Sequence, residues 1–306
     1  MLRKIKLKLS KAVIAVIRLF PESSQIYLWM VYGFHWLTFV YRHRRVPVPG
    51  QNRFNDFLFT RKVNGILLQP LRCLVTDKEF AKGYIASRIG DGRTVPTLAV
   101  LRSHTDVDQF SPATFPLVLK PTHSCGKICV VHDQPGYQKA LPMLHSWLVH
   151  DYFAETLEDN YARLEKKIIV EPYLDESLFL EGSLHCRHGQ VRIISVIERF
   201  DTRKRRASLD ADWQPLHVAL GQPYKQLDLV RPPYLDYLLA SAEAVASELD
   251  YVRVDFYASE TDFLFGELTN LPGGGLARFS SADGEKRFND HFFDRPLSAV
   301  HEHATS

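Results

Sequence analysis

The sequence predicts an α+β protein, and three features carry that reading: a hairpin near the C-terminal end, a second pair of strands ahead of it, and helices set between strand pairs rather than alternating with single strands. Residues 252–257 and 263–268 alternate apolar and polar side chains around the polar stretch Ala258-Ser259-Glu260-Thr261-Asp262, the pattern of two strands and a turn. Residues 179–188 and 191–199 form the second pair, joined by His188-Gly189-Gln190.

The remaining elements follow in chain order. Val46-Pro-Val-Pro-Gly50 reads as the start of a linker over residues 46–53, because its prolines and glycine stop regular structure. Thr76-Asp77-Lys78-Glu79 reads as a capping box with Thr76 accepting from the amide of Glu79, so a helix is expected from about Asp77 to Ile89 with Lys78 in its first turn. Strands are expected over 115–120 and 127–132, around a tight turn, and over 167–171, with a helix at 137–149. Pro232 and Pro233 open a helix reaching about Leu249, whose Leu238, Leu239, Ala242, Val245 and Ala246 form a core-facing stripe.

A chain of 306 residues, 45% hydrophobic, has apolar material for one large or two medium domains. Its net charge of +3 argues against a nucleic-acid partner, which needs a clustered basic face. Four cysteines without a C-x-x-C pair fit a reducing cytoplasm. Charge is nevertheless uneven: Arg3, Lys4, Lys6, Lys8, Lys11 and Arg18 fall in the first 18 residues without an acid. The apolar run Ile26 to Tyr41 falls short of the roughly 20 apolar residues a spanning helix needs. Residues 1–45 are therefore expected to be a basic, apolar helical extension. Two roles stay open for it: peripheral contact with the inner-membrane surface, or packing on the body.

Candidate chemistry concentrates in the C-terminal hairpin. If Tyr257 faces Phe263, then Arg253, Asp255 and Glu267 share one face, because strand side chains alternate with a period of two. Two converging carboxylates suit Mg²⁺, which takes oxygen ligands and completes its shell with water and substrate phosphates. The residues alone leave a plain salt-bridged hairpin equally open. Lys120 ends an apolar strand just before Thr122-His123-Ser124-Cys125-Gly126-Lys127, where a cation and backbone amides can meet phosphate oxygens. Asp210-Ala211-Asp212 forms a D-x-D that could chelate Mn²⁺ on a nucleotide sugar.

Arg253-Val-Asp-Phe, a short gap, then Gly266-Glu-Leu-Thr and Pro272-Gly resembles the metal-binding end of ATP-grasp ligases, most of all the TupA-like ATP-grasp family of bacterial polysaccharide loci. Further anchors are Thr76-Asp77-Lys78, Leu117-Val-Leu-Lys120, Ile169-Val-Glu-Pro-Tyr-Leu174, Gly189-Gln-Val-Arg192 and Asp210-Ala-Asp-Trp213. The resemblance implies an ATP-grasp fold: two α+β lobes sandwich a nucleotide over residues 54–285, behind the helical extension and ahead of a tail at 286–306. It implies ATP with one or two Mg²⁺ held by Asp255 and Glu267, with Thr269 or Asn270 as a further ligand. Phosphates would lie against Lys78, Lys120, Ser124, Gly126 and Lys127. The adenine would meet the strand Glu171, Tyr173 and Leu174, with Asp175 or Glu176 on the ribose. Arg253 and Lys120 would act on the phosphoryl group as a carboxylate becomes an acyl phosphate and an amine attacks it. The family setting implies a small-molecule or glycan substrate, a sugar acid or glycan precursor of cell-surface polysaccharide. Two departures keep a non-catalytic nucleotide-binding protein in view: Ser183 stands where relatives carry lysine, and the 122–127 loop is poor in glycine. The D-x-D keeps a glycosyltransferase in view.

Overall fold

A computed structural model describes residues 12–175, 179–200 and 203–294. Two antiparallel sheets organise it. The first has the order β1-β4-β2-β3, from β1 (Ala99–Leu101), β2 (Leu117–Pro121), β3 (Cys129–Val131) and β4 (Ile168–Pro172). Helix Gln134–Val149 covers its outer face and buries Tyr137, Leu144 and Trp147 against Leu117, Leu119, Val131 and Val170. The Asp133 carboxylate caps that helix by accepting from the Gly136 amide at 2.7 Å.

The second sheet has the order β7-β6-β5-β8-β9, from β5 (Leu180–Arg187), β6 (Gln190–Phe200), β7 (Arg203–Leu209), β8 (Tyr251–Ala258) and β9 (Phe263–Thr269). His188 and Gly189, at φ 50° and 72°, make the two-residue β5–β6 turn with both residues left-handed, which matches strand twist. Helix Leu235–Ala246 buries Leu238, Ala242 and Val245 against Leu184, Val254 and Phe256. At about 1.5–3 kcal/mol per buried side chain, this apolar layer fixes which strand face turns inward. The even-numbered residues of β8 face the helix, so Arg253, Asp255 and Tyr257 face the other way.

Two local expectations are corrected. The helix expected from Asp77 is Lys78–Ile89, and its N-cap is Asp77, whose carboxylate accepts from the Glu79 amide at 2.9 Å. Thr76 cannot cap it, because it ends the preceding helix Pro70–Thr76 and its hydroxyl donates to the Arg72 carbonyl at 2.7 Å. The Glu79 carboxylate does not reach back either, since Lys167 and Arg102 hold it. In the β8–β9 hairpin Tyr257 pairs with Leu264, not Phe263. That register alone would put Asp255 and Glu267 on opposite faces. A bulge restores them: Phe256 pairs with Phe265 and Asp255 with Glu267, leaving Gly266 as the extra residue.

Segments toward both ends of the described residues pack on the body. Helix Gln25–His43 packs Phe39 against Phe59, and its His35 ring bonds the Leu157 carbonyl at 3.2 Å. One side of this helix thus packs on the body, while the basic segment at 1–11 lies outside the described residues. Helix Ala282–Asn289 crosses the boundary expected at 285, and Phe288 and Phe292 are fully buried against Phe54. Residues 295–306 of the expected tail lie outside the described residues.

Candidate active site

The bulge at Gly266 aligns one row of polar side chains across the second sheet. Ser183, Asp255 and Glu267 are successive cross-strand partners, and the next row is His185, Arg253 and Thr269. The Arg253 guanidinium donates to both Asp255 oxygens at 2.6 and 2.5 Å and to the Thr269 hydroxyl at 3.2 Å, and lies 3.7 Å from Glu267. Burial pushes the Asp255 carboxyl up to about 7, with Glu267 adding repulsion against the pull of Arg253. Burial works the same way on Glu267, yet Lys78, Arg253 and Lys120 outweigh it and hold that carboxyl below its usual value. Two facing carboxylates of unequal proton affinity form a site where a cation can replace a proton.

Two lysines from the rest of the fold, Lys78 and Lys120, act on Glu267, and a third, Lys82, meets Glu171 beside them. Lys78, in the first turn of its helix, donates to the Ser124 carbonyl at 2.6 Å and lies 3.8 Å from Glu267. Lys120 sits near the end of β2 and donates to Glu171 at 2.7 Å. Burial disfavours its charge, but Glu171 more than offsets that and raises its pKa. Lys82 takes the other Glu171 oxygen at 2.5 Å. Sequence reading missed Lys82, although its place four residues after Lys78 puts both on one helix face. Arg206 faces the same side, where burial and Arg253 lower its pKa against the pull of Glu181 and Asp255.

Between the sheets lies a cleft lined mainly by apolar side chains, with a few polar groups at one end. Val118, Ile128 and Val130 form one wall, Tyr257 and Ile197 the other, and Lys120 and Glu171 the polar end. Tyr257 was missed in the sequence, though it is two residues beyond Asp255 on the same face. Pro172, Tyr173 and Leu174 close the edge. The Tyr173 amide is committed to the Pro116 carbonyl at 3.2 Å, whereas the Leu174 amide has no partner among the described residues. Such a rim offers an apolar slot for a flat heterocycle and one main-chain donor. Asp175 is exposed beyond it, and Glu176 lies outside the described residues.

Other expected site residues stand differently. Asn270 is buried away from the acids: its oxygen accepts from Arg72 at 2.9 Å, and its nitrogen donates to the Arg72 carbonyl and the Thr76 hydroxyl at 3.0 Å each. Its oxygen would have to leave Arg72 to reach a cation. Ser124 is 1% exposed, its carbonyl held by Lys78, so its hydroxyl does not face the cleft. Gly126, at φ 72°, makes the left-handed bend of the loop, and Lys127 follows half-buried. Glu171 meets two lysines rather than open space. In the D-x-D, the Asp210 carboxylate accepts from the amides of Asp212 and Gln214 at 2.9 and 2.8 Å, so it caps a turn.

The residues fit a magnesium-nucleotide. Among the described residues no three His, Cys, Asp or Glu side chains cluster as a metal site, so a cation here would rest on the Asp255–Glu267 pair and draw its other ligands from phosphate and water.

The family model described as TupA-like ATPgrasp matches residues 58–293. No curated protein matches the chain. Among solved structures, D-alanine-D-alanine ligase from Bacillus anthracis complexed with ATP is 16% identical over 65% of this chain and 57% of that one, with a TM-score of 0.40. The D-alanine-D-alanine ligase from Helicobacter pylori is 15% identical over 73% of this chain and 60% of its own, with a TM-score of 0.41. The ATP-grasp ligase PsnB, complexed with a phosphomimetic variant of its minimal precursor, Mg and ADP, is 12% identical over 78% and 67%, with a TM-score of 0.39. The chain thus spans less than two thirds of the length of either D-alanine-D-alanine ligase.

Proposed function

We propose, from the premise that this chain belongs to the TupA-like ATP-grasp family and carries the ATP-grasp fold, that it is an ATP-dependent carboxylate-amine ligase. We assign it a sugar acid or glycan precursor of cell-surface polysaccharide as the carboxylate substrate, a reading that rests on the family resemblance. One observation carries the chemistry: Asp255 and Glu267 face each other beside Arg253 and Lys78, in a fold where Lys120 ends an apolar cleft between two sheets.

In this reading the adenine occupies the slot between Ile128 and Tyr257 and accepts from the Leu174 amide. Lys78 and Lys120 hold phosphate oxygens, and the 122–127 loop lies over them. Asp255, Glu267 and the Thr269 hydroxyl would hold one or two Mg²⁺, which supply charge neutralisation as the γ-phosphoryl departs. A substrate carboxylate oxygen bonds to the γ-phosphorus as the bond to ADP breaks. Arg253 donates to the transferred group. The amine then attacks the acyl carbon, inorganic phosphate leaves, and the amine proton passes to solvent. Four free cysteines, Cys73, Cys125, Cys129 and Cys186, suit a cytoplasmic setting.

The test is ADP and phosphate release over a panel of uronic acids and amines, with wild type, Lys120→Ala, Glu267→Gln and Asp212→Ala. The ligase reading expects product-coupled ADP release, ATP binding lost with Lys120 and turnover lost with Glu267. Release of a nucleoside diphosphate from an added nucleotide sugar that depends on Asp212 would replace it with a transferase, and tight ATP binding by Lys120→Ala would overturn the placement of the nucleotide against Lys120.

A further inference from the structure

The described helix Gln25–His43 carries no charged residue before Arg42, yet only part of it is covered. Tyr27, His35 and Phe39 are buried against the body. On the other side Ile26, Trp29, Leu37 and Tyr41 are 56%, 72%, 63% and 50% exposed. At 100° per residue these four, with Gly33, fall in one stripe along the whole helix. Val13, Val16 and Leu19, in the chain just ahead, are exposed as well. An apolar stripe running the length of a helix in this way marks a docking site rather than ordinary protein exterior.

Charge identifies the partner. Residues 1–45 hold nine Lys and Arg against the single acid Glu22, a net +8, in a chain whose total is +3, so residues 46–306 are net −5. Positive charge is thus concentrated on the segment that bears the apolar stripe. Arg44 is exposed at the end of that helix and stacks on Tyr41 at 5.0 Å. A protein partner would be met by either sign, but an apolar aromatic stripe ending at Arg44, on a strongly basic segment, complements an anionic bilayer: apolar side chains enter the acyl boundary, rings sit at headgroup depth, and cations meet lipid phosphates. No described helix is long and apolar enough to cross a membrane. Crossing is also opposed by the inner side of the helix, where His35, Arg42 and His43 bond the Leu157, Leu276 and Gly275 carbonyls.

We propose that the outward face of helix Gln25–His43, centred on Trp29 and Leu37, seats this protein in the plane of an anionic lipid surface. The last two of those bonds also fix the glycine turn Pro272–Gly275, which follows β9, so the seated helix adjoins the acid-bearing hairpin. The inference stands apart from the reaction assigned to the cleft.

The experiment is flotation of the full chain with vesicles of phosphatidylcholine alone and of phosphatidylcholine with phosphatidylglycerol, at low and high salt. The expected result is binding to the phosphatidylglycerol vesicles that weakens with salt, as screened charges require. Trp29→Glu with Leu37→Glu is expected to weaken it about tenfold or more, and Arg44→Glu severalfold, since each removes a separate contribution. Unchanged thermal unfolding shows that the variants keep their fold, as their outward side chains imply. Failure of wild type to float with phosphatidylglycerol, equal binding by the double variant, or equal binding to neutral vesicles overturns the proposal. So does a lipid-free dimer in sedimentation that dissociates in the double variant, because a second copy would then cover the stripe.

Discussion

Gly266→Ala probes the bulge that places Glu267 opposite Asp255. A Cβ at Gly266 would stand 2.8 Å from Cε2 of Tyr257 and 3.6 Å from Cδ2 and Cζ. Carbon atoms in contact ordinarily rest at about 3.5–4.0 Å, so the ring must retreat by roughly 1 Å. It can do so only toward the cleft it lines, or by forcing β9 away from β8. Inserting a methyl group into a packed contact costs about 1–3 kcal/mol. If the bulge is lost instead, a one-residue slip turns Glu267 to the face covered by helix Leu235–Ala246, and the acid pair is gone. The assay is chemical denaturation paired with magnesium-ATP titration: Gly266→Ala is expected to lose about 1–3 kcal/mol of stability and to bind magnesium-ATP more weakly. Tyr257→Ala in the same chain removes the colliding ring, so most of the stability loss should disappear, a coupling that a double-mutant cycle measures. Stability of Gly266→Ala within about 0.5 kcal/mol of wild type, or no rescue by Tyr257→Ala, refutes this account of the hairpin.

Two further outcomes follow from buried groups. Arg72, 2% exposed, donates to Asn270 at 2.9 Å and to the Tyr251 carbonyl at 3.1 Å and pairs with Asp250, so Arg72→Met strands several buried polar groups. The expected loss is about 3–5 kcal/mol by denaturation, and a loss below about 1 kcal/mol would show the network to be dispensable. His123 bonds the Trp147 carbonyl at 3.1 Å, and burial pushes its pKa down to about 4. Because the unfolded chain takes up this proton near pH 6.5, the stabilising contribution is complete above that pH and lost as pH falls toward 4, about 3 kcal/mol in all. His123→Asn should flatten the stability-against-pH curve between those values relative to wild type; parallel curves would contradict the assignment.

Much of the fold was legible because its strands alternate cleanly and its turns carry glycine. β5 and β6 with the His188-Gly189 turn, β8 and β9, and the helix after Pro232 all stand within a few residues of their expected bounds. What escaped was set by contacts distant in sequence. Nothing local to Thr76 reveals that Asn160 and Asn270 bond its hydroxyl, which leaves Asp77 to cap the next helix. Nothing in residues 263–269 announces the bulge, since any glycine in a strand offers one and the partner strand decides. Asn270 adjoins Thr269 in sequence, but Arg72, almost 200 residues earlier, turns it into the core. Lys82 was hidden by its chemistry, because a lysine in a helix is usually solvated and only the buried Glu171 explains it.

The most direct measurement of the central claim is calorimetric titration of ATP into wild type and Glu267→Gln, each with and without Mg²⁺. Removing one carboxylate of a pair that shares a cation costs a charge-assisted contact, about 1.5–3 kcal/mol, or roughly 10–100-fold in affinity. The account predicts magnesium-dependent binding by wild type and a loss of that magnitude in the variant. ATP affinity that ignores both the metal and the substitution would contradict it.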